Sequence, residues 1–289
     1  SQDEALQKRD WYGSWESLEG AFFGRVFDRD STVVDPEQVV QLIKPWSKRW
    51  MSQDWGKGHY CMTQWHARVD ISVEEGRRIL GWVITKPIRA VITYREYLAG
   101  GAAEADEGGT REIAEQDIAA QIVERTPEEE RPLITNFFLS PDAFEMSVRR
   151  ANQSKISELI GKVLRAAGLP YPDKADNARV DGWSLMYNML LATKRRGSGA
   201  DDCWLISTLC PELYNGIPLL MRDPKNLDDV LKTDKTSAKK EQDAADTGRY
   251  GLKSMLSPGK KPKAVIIAEA VAKAHQQATQ RYAPQQPGE

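Results

Sequence analysis

Residues 49–69 read RWMSQDWGKGHYCMTQWHARV, and this stretch decides the fold. Its first six residues and its last ten are rich in residue types that favour strands. Gly56, Lys57 and Gly58 lie between them and supply a turn. The stretch therefore predicts two consecutive strands.

Two further segments follow this pair of strands. Residues 77–85 and 89–98 are rich in β-branched and aromatic residues, and Pro87 breaks the run between them. Both segments predict strands. The first half of the chain thus predicts three or four consecutive strands, and the simplest arrangement for them is an antiparallel meander.

The second half of the chain changes to helical spacing. Residues 99–110 are small, acidic and rich in glycine, which predicts a loop. Short apolar runs bounded by turn residues or charges predict buried strands at 132–139 and 203–208. Helices are predicted at 111–125, 155–167, 180–193, 212–220 and 239–256. With a polar connection at 222–240, this order predicts an α/β fold in which helices flank a mixed sheet.

Composition excludes several classes of protein. Of the 289 residues, 40 are Lys or Arg and 42 are Asp or Glu, so the formal net charge is 40 − 42 = −2. A histone-like coat for nucleic acid is therefore excluded, although a local basic groove is not. Three cysteines without a C-x-x-C pair argue against a disulfide scaffold or a Cys-rich zinc site and favour a reducing, cytoplasmic setting. The chain contains no ATPase phosphate loop and no apolar run of the roughly 20 residues that span a membrane.

Four acids stand at the ends of predicted elements. Asp54 ends the first strand, and Asp142 follows the buried strand at 132–139. Asp243 and Asp246 lie three residues apart, hence on one face of the last helix. Strand ends and a helix start can converge, and oxygen ligands of this kind suit Mg²⁺ or Mn²⁺. Two such ions could activate water and stabilise the leaving oxygen in phosphodiester cleavage.

Each acid taken alone also has an ordinary explanation. An Asp that follows a strand commonly serves in a turn, and acids at the start of a helix compensate the helix dipole. The combination of the four acids in this order is more specific than any one of them.

Four parts of the chain resemble the C-terminal nuclease domain of the large terminase subunit of tailed bacteriophages. They are the aromatic stretch at 13–23, DWGKG at 54–58, NARVDGW at 177–183, and IPLLMRDPKNLDD at 217–229 followed by DAADTGRYGL at 243–252. The resemblance covers about residues 10–258. It implies an RNase H-like fold, shared with RuvC resolvases, in which parallel strands follow the antiparallel meander.

The resemblance also implies roles for the acids. Asp54 matches the first metal-binding acid, Asp142 the second, and Asp243 with Asp246 the third element, while the choice between these last two as the bridging ligand stays open. Two ions, Mg²⁺ or Mn²⁺, are implied. The segment around Asp142 lacks the family's usual D-P pair, so Glu96 and Glu145 stand as fallback ligands. Thr247-Gly248 replaces the family's A-L, which suggests a close backbone approach at Gly248.

Basic residues near these acids are candidate DNA contacts. They are Lys57 after the first acid and Lys232, Lys235, Lys239 and Lys240 before the last helix. Each is by default a hydrated surface residue, but together they could contact phosphates.

The expected organisation has three parts. Residues 1–45 would form an arm leading from an N-terminal ATPase domain that is absent here, and the start at Ser1 rather than Met suggests an excised domain. Residues 46–258 would form the nuclease domain, and residues 259–289 a basic tail, partly helical or disordered.

The function implied is a metal-dependent endonuclease that cuts concatemeric double-stranded DNA when viral genome packaging begins and ends. Its partners would be DNA and, in the full-length subunit, the small terminase subunit and the portal, with no membrane involved. It would act in the host cytoplasm and not belong to the mature virion. Two alternatives stay open: a RuvC-like junction resolvase or transposase-type nuclease, and a non-catalytic module that docks on portal or DNA.

Overall fold

A computed structural model describes residues 20–56, 61–99, 114–145, 154–199, 201–232 and 240–256. The chain divides into two units, Ser1–Met255 and Leu256–Glu289. The loop expected beyond Ala99, the tail at 259–289, and Lys57, Lys235 and Lys239 lie outside the described residues, as does the first part of the expected arm.

Three long antiparallel strands form the centre of the sheet. They are β2 (Lys48–Asp54), β3 (Cys61–Ile71) and β4 (Ile88–Ala99). A short strand that precedes them in the chain, β1 (Val33–Val34), lies at the edge of the sheet. Trp50 faces His66 across the β2–β3 pair, and His66 faces Thr93 across the β3–β4 pair. The meander predicted from residues 49–69 and 89–98 is confirmed.

Parallel strands extend the meander on both sides. They are β5 (Ile134–Leu139), β6 (Pro172–Lys174) and β7 (Cys203–Ser207). β5 pairs in parallel with β2, β6 with β5, and β7 with β4, which gives the order β1-β7-β4-β3-β2-β5-β6. The predicted fold class, an RNase H-like mixed sheet of an antiparallel meander and parallel strands flanked by helices, is confirmed.

Helices cover both faces of this sheet. They are α1 (Arg29–Thr32), α2 (Pro36–Leu42), α3 (Val73–Leu80), α4 (Glu115–Glu124), α5 (Ile156–Ala166), α6 (Arg179–Lys194), α7 (Pro211–Gly216) and α8 (Lys240–Leu256). Because strand side chains alternate, Met51 joins the apolar core with residues of α4 and α5, whereas Trp50 donates from its indole to the Gly251 carbonyl of α8 at 3.1 Å. Among the described helices, none is long and apolar enough to cross a membrane.

The strand predicted at 77–85 is wrong, because residues 77–80 are the last turn of α3 and residues 81–85 form no strand. Ser72 accepts the backbone N–H of Glu75, and the Glu75 carboxylate accepts the backbone N–H of Ser72, which is a capping box. Gly81 ends the helix in the left-handed region at φ 65°. This reciprocal cap outweighs the strand preference of the apolar run that follows it.

The connection predicted at 222–240 contains a short hairpin of two further strands, β8 (Arg222–Asp223) and β9 (Asn226–Val230). The described part of the expected arm, residues 20–45, is also structured. Phe22 and Phe23 are buried there, Phe23 packs edge-on against Trp183 of α6, and β1 joins the sheet. These aromatic side chains lie against α6, while Val34, Val39 and Leu42 of the same segment belong to the apolar core of the sheet.

Candidate active site

Asp54 ends β2, Asp142 lies in the 3₁₀ turn (Pro141–Phe144) that follows the neighbouring parallel strand β5, and Ser140 ties these two segments together. The Ser140 N–H donates to the Gln53 carbonyl at 2.9 Å, one residue before Asp54. The Ser140 hydroxyl accepts the Trp55 N–H at 2.9 Å and donates to Asp142 Oδ1 at 2.6 Å. One serine therefore links the backbone on both sides of Asp54 to the carboxylate of Asp142.

The start of α8 lies over the same end of the sheet. The Thr247 hydroxyl donates to the carbonyl of Met62, which is the register partner of Asp54 on β3. Gln64 donates from Nε2 to the Ala244 carbonyl at 2.9 Å. The D-A-A-D turn, residues 243–246, is thus fixed to β3 beside the end of β2.

Two glycines allow α8 to approach the sheet this closely. A Cβ at Gly251 would lie 2.6 Å from His66 Nε2 and 2.7 Å from Ser52 Oγ, distances that real Cβ contacts do not show. A Cβ at Gly248 would lie 3.3 Å from the Trp204 ring, which is tight but less severe. The close approach suggested by Thr247-Gly248 is therefore present, and it is closer still at Gly251.

The four acids share one electrostatic environment. Burial raises the pKa of Asp54 well above its usual range, and the charges of Asp246, Asp243 and Asp142 raise this pKa further, while that of Arg249 lowers it. Burial also raises the pKa of the Cys61 thiol to about 12, and Asp54, Asp243 and Asp142 add to that shift. The charges of the other three sequence-predicted acids therefore all act on Asp54. Asp142 is exposed, Asp54 and Asp243 are partly buried, and Asp246 is buried.

Asp246 is held by two arginines that the sequence analysis did not identify. Arg249, one turn further along α8, donates from Nε to Asp246 Oδ1 at 2.9 Å and brings Nη2 to 2.7 Å of the same oxygen. Arg179 of α6 brings Nη1 to 3.6 Å of that oxygen. Asp246 is therefore an ion-paired carboxylate, with Oδ1 committed to the arginines.

The NARVDGW segment forms the socket for Arg249. Asn177 accepts from Arg249 Nη2 at 3.4 Å, and the guanidinium lies 5.1 Å from the centre of the Trp183 ring. A Cβ at Gly182 would lie 2.5 Å from Arg249 Cγ, so the arginine can pass only because this residue is glycine. The motif is spaced so that Asn177, Gly182 and Trp183 all contact one side chain of α8, which explains why these types stand at these positions.

The donor set fits a hard divalent cation in its chemistry. All four converging groups are carboxylates, and their mutual repulsion at Asp54 is the kind that a bound cation relieves. Within the described ranges, no group of three or more His, Cys, Asp and Glu side chains forms a ready-made metal site. The acids therefore share an electrostatic environment without closing into a coordination shell.

Of the fallback ligands, Glu96 takes other partners, whereas Glu145 stays beside Asp142, to whose carbonyl its backbone N–H donates at 3.1 Å. Glu96 accepts the backbone N–H groups of Glu212 and Leu213 at the start of α7, at 2.6 and 3.2 Å. Burial raises the pKa of Glu96 to about 8 against the lowering effect of these two hydrogen bonds. Glu96 therefore caps a helix. Glu145 is exposed after the 3₁₀ turn that carries Asp142, and Lys232 is exposed two residues beyond β9.

The fold has known counterparts among solved structures. The chain is similar to the large terminase from a thermophilic bacteriophage in complex with ADP, with 17% identity and a TM-score of 0.54 over 89% of this chain and 52% of that one. A second structure of that terminase gives 16% identity and a TM-score of 0.52 over 85% and 47%. The nuclease domain of the P22 large terminase gives 14% and 0.49 over 81% and 91%.

The two similarities to the thermophilic-phage terminase are similarities of fold. The chain spans about half the length of the thermophilic-phage terminase structures that it matches. No protein-family model and no curated protein matches the chain.

Proposed function

We propose that this chain is the nuclease domain of a phage terminase large subunit and acts as a divalent-metal-dependent DNA endonuclease. The observation that supports the proposal is the set of hydrogen bonds through Ser140 and Thr247 that ties together the end of β2, the turn after β5 and the start of α8, the three segments that carry the four acids. The fold shared with the thermophilic-phage large terminase and the motifs at 54–58, 177–183 and 243–252 support it.

Each part of the site would have a distinct task. The four acids would hold two Mg²⁺ or Mn²⁺ ions, and bound ions would supply the charge that activates water and stabilises the leaving oxygen. Ser140 would keep the Asp54 and Asp142 segments in register, since its hydroxyl contacts both. The start of α8 is fixed to β3, the neighbour of β2, by hydrogen bonds to backbone carbonyls, so the acids of α8 would be positioned before DNA arrives.

DNA would be held mainly through its phosphates. Lys57 and the lysines at 232, 235, 239 and 240 flank the ends of β2 and α8 in the sequence, beside the acids. Contacts of this kind are independent of base sequence and weaken with salt. We expect tight binding at low ionic strength from this set, despite the net charge of −2.

In its full-length context the domain would cut concatemeric double-stranded DNA at the start and end of packaging, in the host cytoplasm. The small terminase subunit and the portal would be its partners there. Translocation would belong to an ATPase domain outside this chain.

A plasmid-nicking assay tests the proposal. The chain is incubated with supercoiled plasmid and Mg²⁺, Mn²⁺ or EDTA, and is compared with single Asp→Asn variants at 54, 142, 243 and 246. The matched control is Asp70→Asn, because Asp70 is an exposed acid at the opposite end of β3 from the site.

We expect nicking with a divalent ion that EDTA abolishes, and loss of nicking in Asp54→Asn but not in Asp70→Asn. Nicking by Asp54→Asn at the wild-type rate would point to a docking module with a contaminating nuclease. Preferential cleavage of four-way junctions over linear and plasmid duplex would instead indicate a resolvase.

A further inference from the structure

The two arginines on Asp246 are themselves held in place. Arg249 is almost completely buried, with its side chain 1% exposed, and its guanidinium lies 4.5 Å from the centre of the Tyr250 ring. Arg179 donates from Nε to Asp229 Oδ1 at 2.7 Å and from Nη2 to the Val230 carbonyl at 3.0 Å. The Arg179 guanidinium is thus hydrogen-bonded to β9 on one side and lies against Asp246 on the other. Neither arginine is a flexible surface charge.

Holding Asp246 by one oxygen fixes where the other one points. Both arginines contact Oδ1, so the carboxylate cannot rotate about its χ2 bond without losing them. Asp246 is also the acid whose charge acts most strongly on Asp54. The next residue, Thr247, donates to the carbonyl of Met62, the register partner of Asp54, so Asp246 lies beside the end of β2. Oδ2 is the oxygen that the arginines leave for a ligand shared with Asp54.

We propose that Arg249 and Arg179 are positioning residues, which clamp Oδ1 of Asp246 so that Oδ2 is presented to a divalent cation at the Asp54 site. This inference rests on the proposed function, since it assigns a role in binding that cation. Groups that hold a metal ligand from behind typically change metal affinity by about 10- to 100-fold when they are removed.

An arginine that orients Asp246 and an arginine that acts only through its charge would have opposite effects on the affinity for a cation. A nearby guanidinium repels a cation, so an arginine that acted only through its charge would weaken cation binding, and its removal would tighten it. An arginine that orients a ligand strengthens binding despite its charge, and its removal would weaken binding. A lysine in its place keeps the charge but loses the planar, two-point grip.

The experiment is an isothermal titration of Mn²⁺ into the whole chain without DNA, so that no turnover contributes. Wild type is compared with Arg249→Lys, Arg179→Lys and Arg179→Gln. Arg68→Gln is the matched control, because Arg68 is a partly exposed arginine, ion-paired to Asp202 at 2.8 Å near the far end of β3. Thermal unfolding of each metal-free variant, together with the rise in Tm that Mn²⁺ causes, separates folding from cation binding.

We expect about tenfold weaker Mn²⁺ binding in Arg249→Lys and a smaller loss of the same sign in both Arg179 variants, with Arg68→Gln unchanged. If Arg249→Lys does not fold, the Arg179 pair decides. Wild-type affinity in both lysine variants, or tighter binding in Arg179→Gln, would overturn the inference. A wild type that neither binds Mn²⁺ nor nicks plasmid would overturn the proposed function instead.

Discussion

Replacing Gly251 by alanine tests how closely α8 must approach the sheet. The new Cβ would lie 2.6 Å from His66 Nε2 and 2.7 Å from Ser52 Oγ, whereas ordinary contact begins at 3.4 Å. The helix must therefore move outward by about 3.4 − 2.6 = 0.8 Å, or two buried side chains must shift. His66 cannot shift easily, because Ser52 and Thr93 hold its two ring nitrogens at 2.7 and 3.0 Å.

The expected effects on stability and activity differ in size. Overpacking of this kind costs about 1–3 kcal/mol, whereas alanine in place of glycine within a helix gains about 1 kcal/mol. The net loss of unfolding free energy should therefore be small, about 0–2 kcal/mol. Asp243 and Asp246 move with the helix relative to Asp54, and a displacement near 1 Å can cost about 100-fold in rate.

Urea unfolding and plasmid nicking with Mn²⁺ measure the two effects on the same preparations. Gly248→Ala is the matched control, since it lies on the same helix and its Cβ would meet the Trp204 ring at 3.3 Å. We expect Gly248→Ala to keep nicking within a few fold of wild type. If Gly251→Ala nicks plasmid at the wild-type rate while remaining folded, the distance between α8 and β2 does not control the site.

Three further predictions concern other contacts. In Ser140→Ala the Trp55 N–H loses its buried acceptor, so the free energy of unfolding measured in urea should fall by about 1–3 kcal/mol. The variant should also nick plasmid more slowly, because the hydroxyl that contacts both acid segments is gone. Unchanged nicking would argue against Ser140 as the link between the two acids. Glu130 is buried among Arg49, Arg95 and the Tyr94 hydroxyl, so Glu130→Gln should cost about 3–5 kcal/mol, against little change for the exposed Glu128→Gln. Glu96 has a pKa raised from 4.5 to about 8, so between these pH values the folded state binds more protons than the unfolded state. The free energy of unfolding should therefore fall as pH rises from 5 to 8. Urea titrations at several pH values measure this, and an equal dependence of unfolding free energy on pH in wild type and Glu96→Gln would contradict it.

Most of the sheet was predictable because its signals are local. The strands at 49–54, 60–69 and 89–98 follow from residue preference and turn residues. The helix that ends within 77–85 also has a local signal in the sequence, since Ser72 and Glu75 have the spacing of a capping box. The hairpin at 222–230 likewise carries Pro224 and Asn226, residues that favour a turn.

The arginines of the site had no comparable signal. Nothing in the spacing of NARVDGW indicates that Arg179 meets Asp246, 67 positions away, or that Gly182 makes room for Arg249. The role of Glu96 was hidden in the same way, because its partners lie at the start of α7, 116 residues further on.

From the amino-acid order alone came the succession of strands and helices and the placing of four aspartates at their ends, since side-chain period, caps and turns act over a few residues. Only the tertiary structure decided three other features. They are the ion pairs of Asp246 with Arg249 and Arg179, the close contact of Gly251 with His66, and the hydrogen bonds through Ser140. Coulomb energy, hydrogen bonding and steric exclusion depend on distance in space, and α6, α8 and the ends of β2 and β5 become neighbours only when the chain has folded.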